Sequence, residues 1–159
     1  MNRRGFTLVE LIVVIGIIAT LTTIATLSWN KMTAKSAIEG QIKTVYADLM
    51  KVRLEALYEK RERRVEFVGN RFNVYSSNIH TSAPFRSSEF KFANFTASRP
   101  AFIFSTSGLA SGFEGSVCVK LTRGVTDAYV DSLVITDGRI SLGKRNNGAA
   151  CESANIDRK

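Results

Sequence analysis

"RRGFTLVELIVVIGIIATLTTIATLSWN", residues 3–30, decides how the rest of the chain is read. From Phe6 to Trp29 the one charged side chain is Glu10. As a helix, that run extends about 36 Å at 1.5 Å per residue, enough to cross a typical hydrocarbon layer. Arg3 and Arg4 stand before it, which places the short N-terminus on the cytoplasmic side and the remainder across the membrane. An ordinary secretory signal has a shorter apolar centre followed by a small-residue cleavage site. Here Ala25 and Thr26 come late without an A-x-A pattern, and the glycine, Gly5, comes first. A cut after Gly5 removes the basic leader, keeps the apolar helix and creates a new amine on Phe6. A carboxylate within the membrane costs about 2.5–3.5 kcal/mol on insertion scales, so it usually has a partner. Glu10 lies four residues after Phe6, within reach of that amine on its own chain or a neighbour's. The plainer alternative keeps Glu10 wet at the headgroup level.

"RRGFTLVELIVVIG" resembles the class III signal of type IV pilins and type II secretion pseudopilins. The matching residues are Gly5 before the cut, Phe6 as the first mature residue and Glu10 as the fifth. The resemblance implies cleavage between Gly5 and Phe6 by a prepilin peptidase and N-methylation of Phe6. It gives Glu10 an assembly role, facing the terminal amine of an adjacent subunit. The implied partners are other pilin or pseudopilin subunits and an inner-membrane assembly platform. The implied location is a single pass through the inner membrane, C-terminal domain in the periplasm, before transfer to a pilus or pseudopilus. Major pilins commonly carry a proline late in this helix, whereas this chain reads "IATLSWN" there.

The chain has 159 residues, 45% of them hydrophobic, and carries a formal charge of +8. About 130 residues remain after the apolar head, enough for one modest core. Two prolines and eleven glycines argue against general disorder. Without Arg3 and Arg4 the balance is 20 basic against 14 acidic residues, or +6. That surplus favours anionic lipid or nucleic acid, or simply aids solubility. Cys118 and Cys151 are too few and too far apart for a zinc site. They can pair outside the cytoplasm, where thiols oxidise, or stand as two free thiols.

In residues 31–62, Ala34, Ile38, Ile42, Val45, Leu49, Val52 and Ala56 recur at spacings of three and four, which marks one apolar helix face. The membrane helix is therefore expected to continue to about Arg61 and to pack its second half on a sheet. A coiled coil is the alternative, but the face is short and alanine-rich. "KRERRVEF" then reads as a solvated helix end, its cations favoured by the helix dipole. A nucleic-acid patch is the other reading, and the interleaved acids argue against it. Beyond it the period becomes two. "VEFVGNRFNVY" turns at Gly69–Asn70 as a hairpin does. "FKFANF", "FIFS", "SVCVKLT", "YVDSLVI" and "RISLG" are further strand candidates, and His80–Ser88 reads as a loop. The fold class is α+β, a long N-terminal helix on an antiparallel β region. Five segments are expected: leader 1–5, membrane half 6–29, amphipathic half 30–62, β domain 63–145 and tail 146–159.

"ADLMKVRLEALYEKRERRVEF", with Arg53, Glu55 and Ala56, resembles the helix end of GspH and FimT proteins. "FIFSTSGLASG" and "LVITDGRISLGKR" resemble that family's later strands, with Gly108 and Gly138–Arg139 in the matching places. The family's pilin fold and structural role follow as expectations. Some FimT-like proteins carry a G-R-x-R pattern in a late strand and bind DNA. This chain has Gly138, Arg139, Ile140 and Ser141 there, so Lys144 and Arg145 would have to replace the missing arginine.

Catalytic chemistry is hard to assemble. His80 is the single histidine, and no phosphate-binding loop, dinucleotide fingerprint or metalloprotease motif occurs. Asp127, Asp131 and Asp137 are scattered through a strand region, so neither a metal nor a cofactor is called for. A structural subunit is the leading expectation, a DNA receptor on a competence pilus the second. A secreted β protein that discards its head is the third.

Overall fold

A computed structural model describes residues 7–77, 83–90, 93–111, 114–121, 128–146 and 149–159. The chain divides into two compact units, residues 1–34 and 35–159. Helix α1 runs over Leu8–Glu59. In the first unit its apolar side chains are exposed all round, from Leu8, Val9 and Leu11 to Leu21 and Ile24. Thr20, Thr22, Thr23 and Thr26 each return their hydroxyl to a carbonyl three or four residues back, which hides those donors from an apolar solvent.

In the second unit, Ile38, Ile42, Val45, Leu49, Val52 and Ala56 are buried, the face that the spacing predicts. Ala34, the first of the series, is half-buried. The helix stops two residues earlier than expected. Lys60 adopts φ 52°, and the Arg61 amide donates to the Ala56 carbonyl at 3.3 Å, a Schellman ending. A side chain in the left-handed region costs about 1 kcal/mol relative to glycine. Lys60→Gly should therefore raise the melting temperature of the full-length chain by about 2 °C. A lower melting temperature in a thermal scan would show that Lys60 makes a compensating contact.

Strands β1 (Arg63–Val68), β2 (Arg71–Tyr75), β3 (Arg86–Glu89), β5 (Phe102–Phe104) and β6 (Ala110–Ser111) form one sheet, ordered β3-β2-β1-β5-β6. Strands β4 (Ala93–Ala97), β7 (Gly115–Leu121), β8 (Ser132–Ile135), β9 (Ile140–Arg145) and β10 (Ile156–Arg158) form the other, ordered β10-β9-β8-β7-β4. Every pairing is antiparallel. The hairpin at Gly69–Asn70 forms with Phe67 opposite Phe72 and Val65 opposite Val74, and Gly69 has φ 62°. Part of the expected His80–Ser88 loop is instead the edge strand β3; His80 itself lies outside the described residues.

Register identifies the helix side of the first sheet. Arg86 stands opposite Val74 and bonds Glu55 of α1 at 2.9 Å, so Val65, Phe72 and Val74 share the helix-facing side. Phe67 joins the two sheets, with its ring centroid 5.3 Å from Phe72 and 5.4 Å from Phe95. Gly115 is required where β7 begins, since a Cβ there would lie 2.6 Å from the Phe102 ring.

The second sheet is covered on both faces. Val117, Leu133 and Ile135 lie on one face, Cys118 and Val134 on the other, and all are buried. Residues beyond Arg145, expected as a tail outside the β domain, cover that second face. Cys118, Val134, Cys151 and Ile156 form a small core there, and Ser116 donates to the Cys151 carbonyl at 2.9 Å. A disulfide joins Cys118 to Cys151, with Cα atoms 5.9 Å apart. The strap then returns as β10 to pair with β9. Gly143 permits this approach, because a Cβ there would lie 2.3 Å from Ile156.

Lys60 and Arg61 of "KRERRVEF" are exposed, as a solvated helix end requires, but the two later arginines depart from that expectation. Arg63 and Arg64 are only 4% and 3% exposed. Adjacent in β1, they face opposite sides of the sheet. Arg63 pairs with Glu59 and sits over the Phe85 ring at 5.4 Å. Arg64 pairs with Glu66 at 2.7 Å and stacks 4.2 Å over Tyr75. The interleaved acids are the partners that make burial of these charges tolerable. Burial first, and then a hydrogen bond from its hydroxyl to Glu66, push the Tyr75 phenol above its usual pKa.

Candidate functional site

The N-terminal motif begins outside the described residues, which exclude Gly5 and Phe6. Glu10 lies in the first turn of α1 and is exposed. Its amide donates to the Thr7 hydroxyl at 3.2 Å, and the Leu11 amide donates to the Thr7 carbonyl at 3.2 Å. Thr7 is thus the N-cap and Glu10 the third helical residue, the T-x-x-E spacing of a capping box. A carboxylate here is also favoured by the positive end of the helix dipole. The T-L-V-E spelling carried this signal in the sequence, beside the assembly role assigned to Glu10. The helix that follows is long and apolar enough to cross a membrane.

The three cations proposed for DNA are not brought together. Arg139 sits on the β8–β9 turn, while Lys144 and Arg145 lie at the far end of β9. At about 3.3 Å per residue the separation is roughly 16–20 Å. Lys144 and Arg145 border a small hollow with Asn146 and the acidic Asp157. Arg139 instead shares a groove with Tyr46, Met50 and Arg53 of α1, a neighbourhood no local sequence pattern announced. Arg53, Glu55 and Ala56 divide their work: Arg53 borders that groove, Glu55 binds Arg86, and Ala56 is buried and closes the helix. Gly108, with φ 73°, lets a turn lie against Arg53, whose carbonyl would be 3.5 Å from a Cβ there.

Asp131 is buried, and its Oδ1 accepts from the Ser132 hydroxyl at 2.7 Å and the Arg145 amide at 2.8 Å. It is thus committed to holding β8 against β9. Asp127 lies outside the described residues. Among the described residues, no group of three or more potential metal ligands occurs.

Residues 1–26 match the family model of the prokaryotic N-terminal methylation motif. No curated protein is significantly similar to the chain. Among solved structures, the chain is similar to the type IV minor pilin FimU of Pseudomonas aeruginosa in two crystal forms. One is 23% identical, covering 67% of this chain and 90% of FimU, with a TM-score of 0.50. The other is 22% identical, covering 67% and 85%, with a TM-score of 0.54. At these identities the likeness speaks for the fold, and the methylation motif speaks independently for the N-terminus. Residues 1–26 thus carry a prokaryotic N-terminal methylation motif, and the chain has a pilin-like fold similar to that of FimU, a long N-terminal helix leading into antiparallel sheets.

Proposed function

We propose that the chain is a minor pilin, a structural subunit with no catalytic role. A prepilin peptidase cuts between Gly5 and Phe6, Phe6 is N-methylated, and the mature chain waits in the inner membrane with its β domain in the periplasm. An assembly platform then extracts it into a filament, where its apolar helix bundles with those of other subunits. The observation that carries this reading is the pairing of the methylation motif with a helix whose apolar side chains, from Leu8 to Ile24, have no cover in the monomer. Surface of that kind demands lipid before assembly and neighbouring helices after it. Glu10 is the exception in that surface, and a subunit terminal amine is its natural mate. The similarity to FimU, a type IV minor pilin, favours a type IV pilus over a type II secretion pseudopilus. The GspH/FimT resemblance of the helix end agrees with either.

The test is the mass of the mature chain recovered from membranes and from sheared filaments of cells expressing it with a prepilin peptidase. The expected species begins at N-methylated Phe6 and appears in both fractions. A chain that begins after Ala25 would overturn the reading, because the helix would have been discarded.

A further inference from the structure

We propose that the groove between α1 and the β8–β9 hairpin receives an acidic peptide segment of a partner protein. Tyr46, Met50 and Arg53 stand at helical spacing along one wall, and Arg139 to Leu142 form the other, around a cavity of about 320 Å³. That volume admits a few side chains and no folded element. Its charges are unevenly committed. Lys159 also borders the groove, but it donates to Asp157 at 2.8 Å and lies over the Tyr129 ring at 5.4 Å. Arg53 and Arg139 have no ion-pair partner among the described residues. Glu55, the helix acid nearest Arg53 in sequence, is taken by Arg86.

The backbone of Arg139 is held in the turn. Thr136 and Arg139 exchange bonds across the turn: the Thr136 amide donates to the Arg139 carbonyl at 2.8 Å, and the Arg139 amide donates to the Thr136 hydroxyl at 3.2 Å. The Arg53 stem lies against Gly108, 3.7 Å from the position of a Cβ there. Two guanidinium forks carried on separate elements suit carboxylates, which they bind bidentately. Met50, Ile140 and Leu142 between them suit apolar neighbours of those carboxylates. A nucleic-acid backbone is the poorer match, since it needs a run of cations and Lys144 and Arg145 lie at the other end of β9. The inference does not depend on burial of the N-terminal helix in a filament.

The test uses the full-length chain in zwitterionic detergent micelles, with fluorescence anisotropy of a labelled peptide of Glu-Leu-Gly repeats. Micromolar binding is expected, and the matching Gln-Leu-Gly peptide should not bind. Arg139→Gln, on an exposed turn, should weaken binding about tenfold, the effect of one charged hydrogen-bond pair. Arg53→Gln should do the same, with Arg53→Lys as the version that preserves the packed stem. Lys144→Gln should leave binding unchanged. Equal binding of the glutamine peptide, or indifference to Arg139→Gln, would overturn the proposal. Tighter binding of a thymidine decamer with loss through the same arginines would overturn it in favour of nucleic acid.

Discussion

Glu10→Ala should leave the protein in the membrane at normal abundance while removing it from sheared filaments. The residue serves two physical roles that a pair of substitutions separates. As the third residue of the capped first turn, Glu10 supports the helix start, a contribution of about 0.5–1 kcal/mol. Its amide hydrogen bond to Thr7 is a backbone matter and survives substitution by alanine or glutamine. As a carboxylate on an otherwise apolar segment, it requires a cation once lipid and water are replaced by other helices. Glu10→Gln preserves shape and capping ability but removes the charge. If charge pairing governs docking, glutamine and alanine should fail alike, each lowering incorporation by at least about tenfold, equivalent to roughly 1.4 kcal/mol. Quantitative immunoblots of membrane and filament fractions give that ratio directly. Wild-type incorporation of Glu10→Gln alongside failure of Glu10→Ala would assign the residue to helix capping and end the pairing argument. Lys31→Gln, at an exposed position of α1, is a suitable control for general charge effects.

Removing the disulfide should be the most damaging change to the β domain. Cys118 and Cys151 are separated by 33 residues, so their bond restricts the unfolded chain by about 3–4 kcal/mol in the chain-entropy model. For a domain of this size that corresponds to a loss of roughly 10 °C in melting temperature. The loss has a structural component as well. The bond holds the strap carrying Cys151 and Ile156 over Val134, and the strap covers a face that would otherwise be apolar and wet. Cys118→Ala with Cys151→Ala together should therefore melt early and bind a hydrophobic dye before global unfolding. The double alanine variant is preferable to single ones, which leave a thiol free to pair between molecules. Chemical reduction of the wild-type chain should reproduce the shift. A melting temperature within about 2 °C of wild type would mean that β10 pairing alone retains the strap.

The features that were legible in the sequence share a local cause. The face from Ile38 to Ala56 repeats at helical spacing because one side of α1 is buried. The Gly69–Asn70 turn shows because its glycine must take a positive φ. The N-terminal motif shows because hydrocarbon tolerates so few residue types that a lone Glu10 stands out. What escaped depends on distant partners. Arg63 and Arg64 look solvated until β1 places them beside Glu59, Glu66, Phe85 and Tyr75. Strand β10 holds one apolar residue in three, too few to show a period, and is secured by Gly143 and Ile156 meeting across the ladder. The groove needs Arg53 and Arg139 from opposite ends of the domain's sequence, so no window along the chain contains it.

The strap also imposes a timetable. At about 5–20 residues per second, a ribosome takes roughly 2–7 s to travel from the first cysteine codon to the second. Throughout that interval the earlier thiol precedes its native mate, while β8 and β9 of its own sheet are still being made. An oxidant acting faster than elongation meets it alone and couples it to another molecule. In the export route proposed above, the pace of translocation therefore sets how long that thiol waits for its mate.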